Sequence, residues 1–209
     1  MVGKTDISKD LAFLDGRRGA MVAVLREWCA INTGSLNLDG LDAMRAALRQ
    51  AFAALGAEIE EVASAPQEVI TASGDVKTRA LAPCLRIINR PQAPVRVLLA
   101  GHMDTVFAAD HPFQSDRLID ADTLNAPGGA DMKGGILVML QALLAVEHSR
   151  FAERIGYEII LNADEEIGSP GSAPILLEAA KRAQFAMVYE PAMADGTLAG
   201  ARKGSGNFS

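Results

Sequence analysis

Three short apolar runs, Val95 to Ala100, Ile155 to Leu161 and Phe185 to Tyr189, are separated by two longer stretches with helical spacing, Met132 to Glu147 and Pro170 to Arg182. Short runs bounded by turn residues read as strands, and long runs with a period near 3.6 read as helices. Strands that alternate with helices must bury both kinds of apolar surface against each other. The expected fold is therefore α/β, a mixed and mostly parallel sheet with helices on both faces. Upstream, Met21 to Ala30 and Leu41 to Leu55 read as two helices, with Asp39 available to cap the second, and Ala57 to Val62 as a first strand. Pro66 to Leu81 is rich in turn residues and reads as an exposed hairpin or loop, while Cys84 to Ile88 fits a strand lying next to Val95–Ala100.

Each of the three strands runs into ligand-type side chains. Val95–Ala100 leads to His102 and Asp104, Ile155–Leu161 to Asp164, Glu165 and Glu166, and Phe185–Tyr189 to Glu190, while Asp131 opens the helix between the first two. Reactive groups of open α/β sheets collect beyond the carboxyl ends of the strands, where loops leave the sheet. Taken singly, His-x-Asp reads as a surface pair, three acids in a row as a solvated turn, and Glu before Pro as a turn residue. Gathered at one edge they read as a cation site, since adjacent carboxylates repel unless cations or solvent take up the charge. Extended backbone puts Asp104 on the side of His102, where its carboxylate can reach the imidazole or the substrate, and sends Glu165 and Glu166 opposite ways. One of the two glutamates can then bind a metal while the other works on a water. The run Gly128-Gly129-Ala130-Asp131-Met132-Lys133-Gly134-Gly135 matches neither phosphate-binding glycine pattern, which excludes nucleotide binding on that ground; its glycines let backbone approach a charged centre.

A 49% hydrophobic and 22% charged composition is that of a globular chain. The net charge is -6 and the 20 Lys and Arg are scattered, so no basic stripe suits nucleic acid. The first residues lack a secretory pattern and Ile136–Val146 is too short to cross a bilayer, so no membrane association is expected. Cys29 and Cys84 are far apart and outside any Cys-x-x-Cys spacing, which predicts free thiols in a reduced, cytoplasmic protein.

Four segments, Gly-His-Met-Asp-Thr-Val from Gly101, Gly-Gly-Ala-Asp-Met-Lys-Gly-Gly from Gly128, Asn-Ala-Asp-Glu-Glu-Ile-Gly-Ser from Asn162 and Tyr-Glu-Pro from Tyr189, resemble in order and spacing the M20 metallopeptidases. That family includes glutamate carboxypeptidase, acetylornithine deacetylase, succinyl-diaminopimelate desuccinylase and aminoacylases. The resemblance runs from about Leu25 to the end of the chain. It implies two zinc ions bridged by Asp131, with His102 and Glu190 completing one ion's protein ligands and Glu166 holding the other. It further implies Glu165 as the general base for the attacking water and Asp104 as the residue that orients His102. By ligand type, cobalt or manganese could replace zinc. The implied substrate is a small peptide-like molecule or an N-acyl amino acid, and the implied full-length form is a homodimer.

The family needs a further, distal histidine for the second metal, and neither His111 nor His148 lies in a matching motif. Residues 1–198 accordingly read as the amino-terminal part of the catalytic domain and 199–209 as the threshold of a dimerisation or lid domain. The corresponding expectation is that these residues alone hold at most one metal tightly and hydrolyse little. The alternatives are a truncated, non-catalytic module that keeps at most one metal and, less favoured, a non-metal α/β protein with ordinary strand-end acids.

Overall fold

A computed structural model describes residues 6–193 and 195–198. In chain order the elements are α1 (Ser8–Leu11), α2 (Arg18–Cys29), α3 (Leu38–Phe52), β1 (Glu58–Val62), β2 (Gln67–Ile70), β3 (Val76–Arg79), β4 (Cys84–Asn89), β5 (Val95–His102), β6 (Arg117–Leu118), β7 (Leu124–Asn125), α4 (Gly134–Glu147), β8 (Ile155–Asn162), α5 (Ala173–Ala180) and β9 (Phe185–Val188). Five strands form one sheet in the order β1-β4-β8-β5-β9. β5 pairs in parallel with both β8 and β9, and β4 pairs antiparallel with both β1 and β8. All but β4 therefore point the same way, the mixed and mostly parallel sheet that the alternating pattern predicts.

Side-chain alternation along the strands divides the core in two. Leu85 and Ile87 of β4, Leu99 of β5, and Tyr157, Ile159 and Leu161 of β8 face the larger cluster, with Leu41, Met44, Leu48 and Phe52 of α3 and Ile136, Met139, Leu140 and Leu143 of α4. Cys84, Leu98 and Ile160 face the other side, where Ala179, Ile175 and Leu176 of α5 cover them. A period of two in the strands is what allows one sheet to carry helices on both faces. Cys29 and Cys84 are free and buried.

Several sequence expectations need correction. β4 and β5 do not lie side by side: β8 runs between them. β8 is buried along nearly its whole length, so it needs partners on both edges and takes the centre, while α4 supplies the crossover that a parallel β5–β8 pair requires. Helix α3 is capped by Asn37, whose side chain accepts from the Gly40 amide (3.2 Å), and Asp39 lies inside the first turn. Helix α5 starts at Ala173 and not at Pro170, because the chain turns through positive φ at Gly168 and Ser169 first. The Pro66–Leu81 stretch holds a hairpin, β2 against β3. The expected domain threshold at 199–209 lies outside the described residues.

Asn37 also donates from Nδ2 to the backbone oxygen of Asn32 (3.1 Å), so it ties the start of α3 to the loop before it. An Asn37→Ala substitution is expected to cost about 1–2 kcal/mol, read as a lower urea midpoint at unchanged slope.

Candidate metal centre

The strands deliver their ends to one place. His102 is the last residue of β5, and Glu190 follows β9 on one side of it. Asn162 ends β8 on the other side, opposite His102 in register, and is followed by Asp164, Glu165 and Glu166. Asp131 comes from the irregular turn at 129–133 that precedes α4; the Asp131–Met132 peptide is cis. The turn starts at Gly128 with φ of +69°, where a side chain would also collide with Thr105 and Lys133, so glycine is required there.

His102 is 1% exposed. Its Nδ1 donates to the backbone carbonyl of Asp104 (3.0 Å), with Asp104 Oδ1 at 3.4 Å. That bond sets the tautomer and leaves Nε2 aimed at carboxylates: Asp131 Oδ1 at 3.0 Å, Glu190 Oε1 at 3.8 Å and Glu165 Oε2 at 3.9 Å. A bare nitrogen lone pair among carboxylate oxygens is repulsive unless a cation lies between them. Burial opposes charging His102, but hydrogen bonds and charge from Asp104 and Glu190 outweigh it and push the imidazole up to about 11. The pocket thus favours a positive species at Nε2. One imidazole and two carboxylates, His102, Asp131 and Glu190, bring ligand atoms within 4.8 Å of one another, and among the described residues they are the one such group of three. Nitrogen and carboxylate donors at that separation fit a divalent ion such as zinc.

Asp104 does more than the spacing suggested. Its fully buried carboxylate accepts from the amides of Glu165 (3.2 Å) and Glu166 (3.1 Å) and from the Ser35 hydroxyl (2.7 Å). One side chain therefore seats the whole acidic turn beside His102. Glu165–Ile167 form a single tight 3₁₀ turn, not extended chain. Successive side chains there differ by about a third of a turn, so the two glutamates still diverge, for a different reason from the one expected. Glu165 comes within reach of His102, while Glu166 stands outside the group of three. Burial raises both glutamates. For Glu165 the charge of His102 opposes the rise and the neighbouring acids add to it; Glu166, with Asp131 repelling it next, reaches about 7.

The turn at 129–133 is tied to β5 and to the end of α2 by its own side chains. The Met132 sulfur accepts from the His102 amide (3.1 Å), and the Lys133 ammonium donates to the carbonyls of Trp28 (3.1 Å) and Ile31 (2.8 Å). Lys133 is 1% exposed, and burial pulls it down to about 8. Neither Ser35 nor Lys133 follows from the sequence pattern; the one signal for Lys133 is a lone cation between the glycines of the turn. His111 packs against Phe107, and His148 stacks on Phe13 while facing the Leu144 carbonyl at the end of α4.

Residues 98–203 match the family described as Peptidase family M20/M25/M40. Over 98 residues the chain is 34% identical to carboxypeptidase G2 of Pseudomonas sp. (strain RS-16), a match that covers 47% of this chain and 24% of that protein. The fold is similar to that of human carnosine dipeptidase 1, with a TM-score of 0.70 at 20% identity over 90% of this chain and 42% of that one. It is also similar to the M20 family metallo-carboxypeptidase Sso-CP2 of Sulfolobus solfataricus, with a TM-score of 0.64 at 17% identity over 84% of this chain and 38% of that one. The chain spans about two fifths of the length of these solved structures.

Proposed function

The chain belongs to peptidase family M20/M25/M40, and from that premise we propose that it carries the metal-binding and proton-transfer residues of a metal-dependent hydrolase acting on the amide bond of a small peptide-like or N-acyl amino acid substrate. The observation that carries this reading is the convergence of His102 Nε2, Asp131 and Glu190 at the strand ends with Glu165 beside them. The named activities of the relatives, a carboxypeptidase and a dipeptidase, support the substrate class.

His102, Asp131 and Glu190 would hold one metal ion, and Asp131 with Glu166 would offer carboxylates to a second; zinc is the first choice, with cobalt or manganese acceptable by ligand type. Bound there, the metal supplies Lewis acidity toward a substrate carbonyl and acidifies a water at neutral pH. The protein's own part is positional and protonic. Hydrogen-bonded through Nδ1 to the Asp104 carbonyl, His102 keeps Nε2 available. With its amide fixed by Asp104, Glu165 takes a proton from the attacking water and returns it to the leaving nitrogen. The residues that would serve a second ion are two carboxylates without an imidazole, so the first position is the tighter one.

The expected result for this chain is one zinc ion retained after dialysis, with a stabilisation of about 2.7 kcal/mol at a hundredfold excess over Kd. Elemental analysis and thermal melting with and without chelator measure both. A His102→Ala variant that keeps the wild-type zinc content would refute the site, and two tightly retained ions would refute the ranking of the two positions.

A further inference from the structure

Asp131 is the least supported of the three gathered ligands by its own side chain. That side chain is 53% exposed, so its place depends on the backbone of the turn that carries it. Two side chains fix that backbone. Met132, fully buried, hangs the turn on β5 through the His102 amide. Lys133 reaches the other way, to the Trp28 and Ile31 carbonyls where α2 ends. The Trp28 carbonyl also accepts from the Ile31 amide (3.2 Å), and the negative end of the helix dipole favours a cation there. The contact between α2 and the turn is close along its length: a side chain on Gly134 would strike the Gly129 carbonyl and approach Leu25, and one on Gly129 would touch Cys29. A methionine would bury nearly the same stem without a charge to desolvate, so packing alone does not call for lysine at this position.

We propose that Lys133 is a positioning residue for the metal site: its buried ammonium ties the turn carrying Asp131 to the end of α2, so that the Asp131 carboxylate stays beside His102 and Glu190. This rests on the metal-site reading above.

The test compares wild type, Lys133→Met and, as an equally folded but destabilised control, Asn37→Ala. Zinc affinity is measured by competition with a chromophoric chelator, and amide exchange of residues 128–135 is measured on metal-free protein. Removing a group bonded directly to a ligand weakens metal binding by about 10–100-fold; Lys133 acts through the backbone of the turn, so the lower end, about a tenfold weaker zinc Kd, is expected for Lys133→Met, and the control should keep the wild-type value. Exchange in 128–135 should rise about tenfold or more while α3 keeps its protection. Wild-type affinity and wild-type exchange in Lys133→Met would overturn the proposal. Should that variant fail to melt cooperatively, Lys133→Gln is read in its place; collapse of both would also overturn it, since Lys133 would then hold the whole fold and not the turn. A wild-type chain that binds no zinc refutes the metal reading, while the exchange measurement still decides the role of Lys133.

Discussion

Glu165→Gln is expected to lower amide hydrolysis by roughly 10²–10⁴-fold, the range for a lost general base, while leaving the metal content unchanged. The substitution keeps the size of the side chain and its backbone bond to Asp104, and removes only the ability to accept a proton. Glu165 suits that role because it lies near the three gathered ligands without being one of them, 3.9 Å from His102 Nε2. Burial holds its carboxyl above the usual range, aided by Glu190, Asp104 and Asp131 and opposed by His102, which brings a base closer to the pH at which it must take a proton. The measurement is turnover of a dipeptide or an N-acyl amino acid by a full-length form of the enzyme, since residues 1–209 alone are expected to hydrolyse little, with elemental analysis of the same preparation. Unchanged turnover would remove Glu165 from the chemistry. Loss of metal together with activity would make it a ligand.

The second large effect is on stability. Asp164 is fully buried, yet it is not among the gathered ligands. Its Oδ2 accepts from the amides of Gly171 (2.8 Å) and Ser172 (3.1 Å) just ahead of α5, and its Oδ1 from the Asn162 side chain (3.2 Å). A carboxylate at the amino end of a helix meets unpaired amides and the positive end of the dipole. Removing it leaves these donors buried without a partner, at about 1–3 kcal/mol for each such group. Asp164→Ala is therefore expected to destabilise the chain by roughly 3–5 kcal/mol, comparable to breaking a buried charged network, and Asp164→Asn by less because one acceptor oxygen remains. Urea denaturation measures both. A loss below about 1 kcal/mol would mean that the loop after β8 is held by other bonds, since surface-like substitutions stay within about 0.5 kcal/mol.

Asp164 shows how much of the site can be read in a linear pattern. Within Asp164-Glu165-Glu166 the sequence offers three equivalent acids, and spacing cannot say that the first turns inward ahead of α5, the second comes within reach of His102 and the third stands outside the gathered group. That division follows from the 3₁₀ turn at Glu165–Ile167 and from the two amides held by Asp104. Asp104 has the same history: the His-x-Asp spacing makes it a partner of His102, but its carboxylate mainly organises a loop that follows β8, far along the chain. At α3 the choice of cap is made by local backbone conformation. Asn37 and Asp39 are both good caps, and only the backbone conformation, with Asn37 outside the helix and Asp39 inside it, distinguishes them.

Strand and helix alternation, the two-faced core and the ligand types at the strand ends are legible in the linear chain, because period and residue chemistry are local properties that survive in any consistent fold. Only packing sets β8 between β4 and β5, brings His102, Asp131 and Glu190 together with Glu166 outside them, bonds Ser35 to Asp104 and buries Lys133 against the Trp28 and Ile31 carbonyls. The order of strands and the meeting of side chains depend on which surfaces must be buried against which, and that is settled only when distant segments pack together.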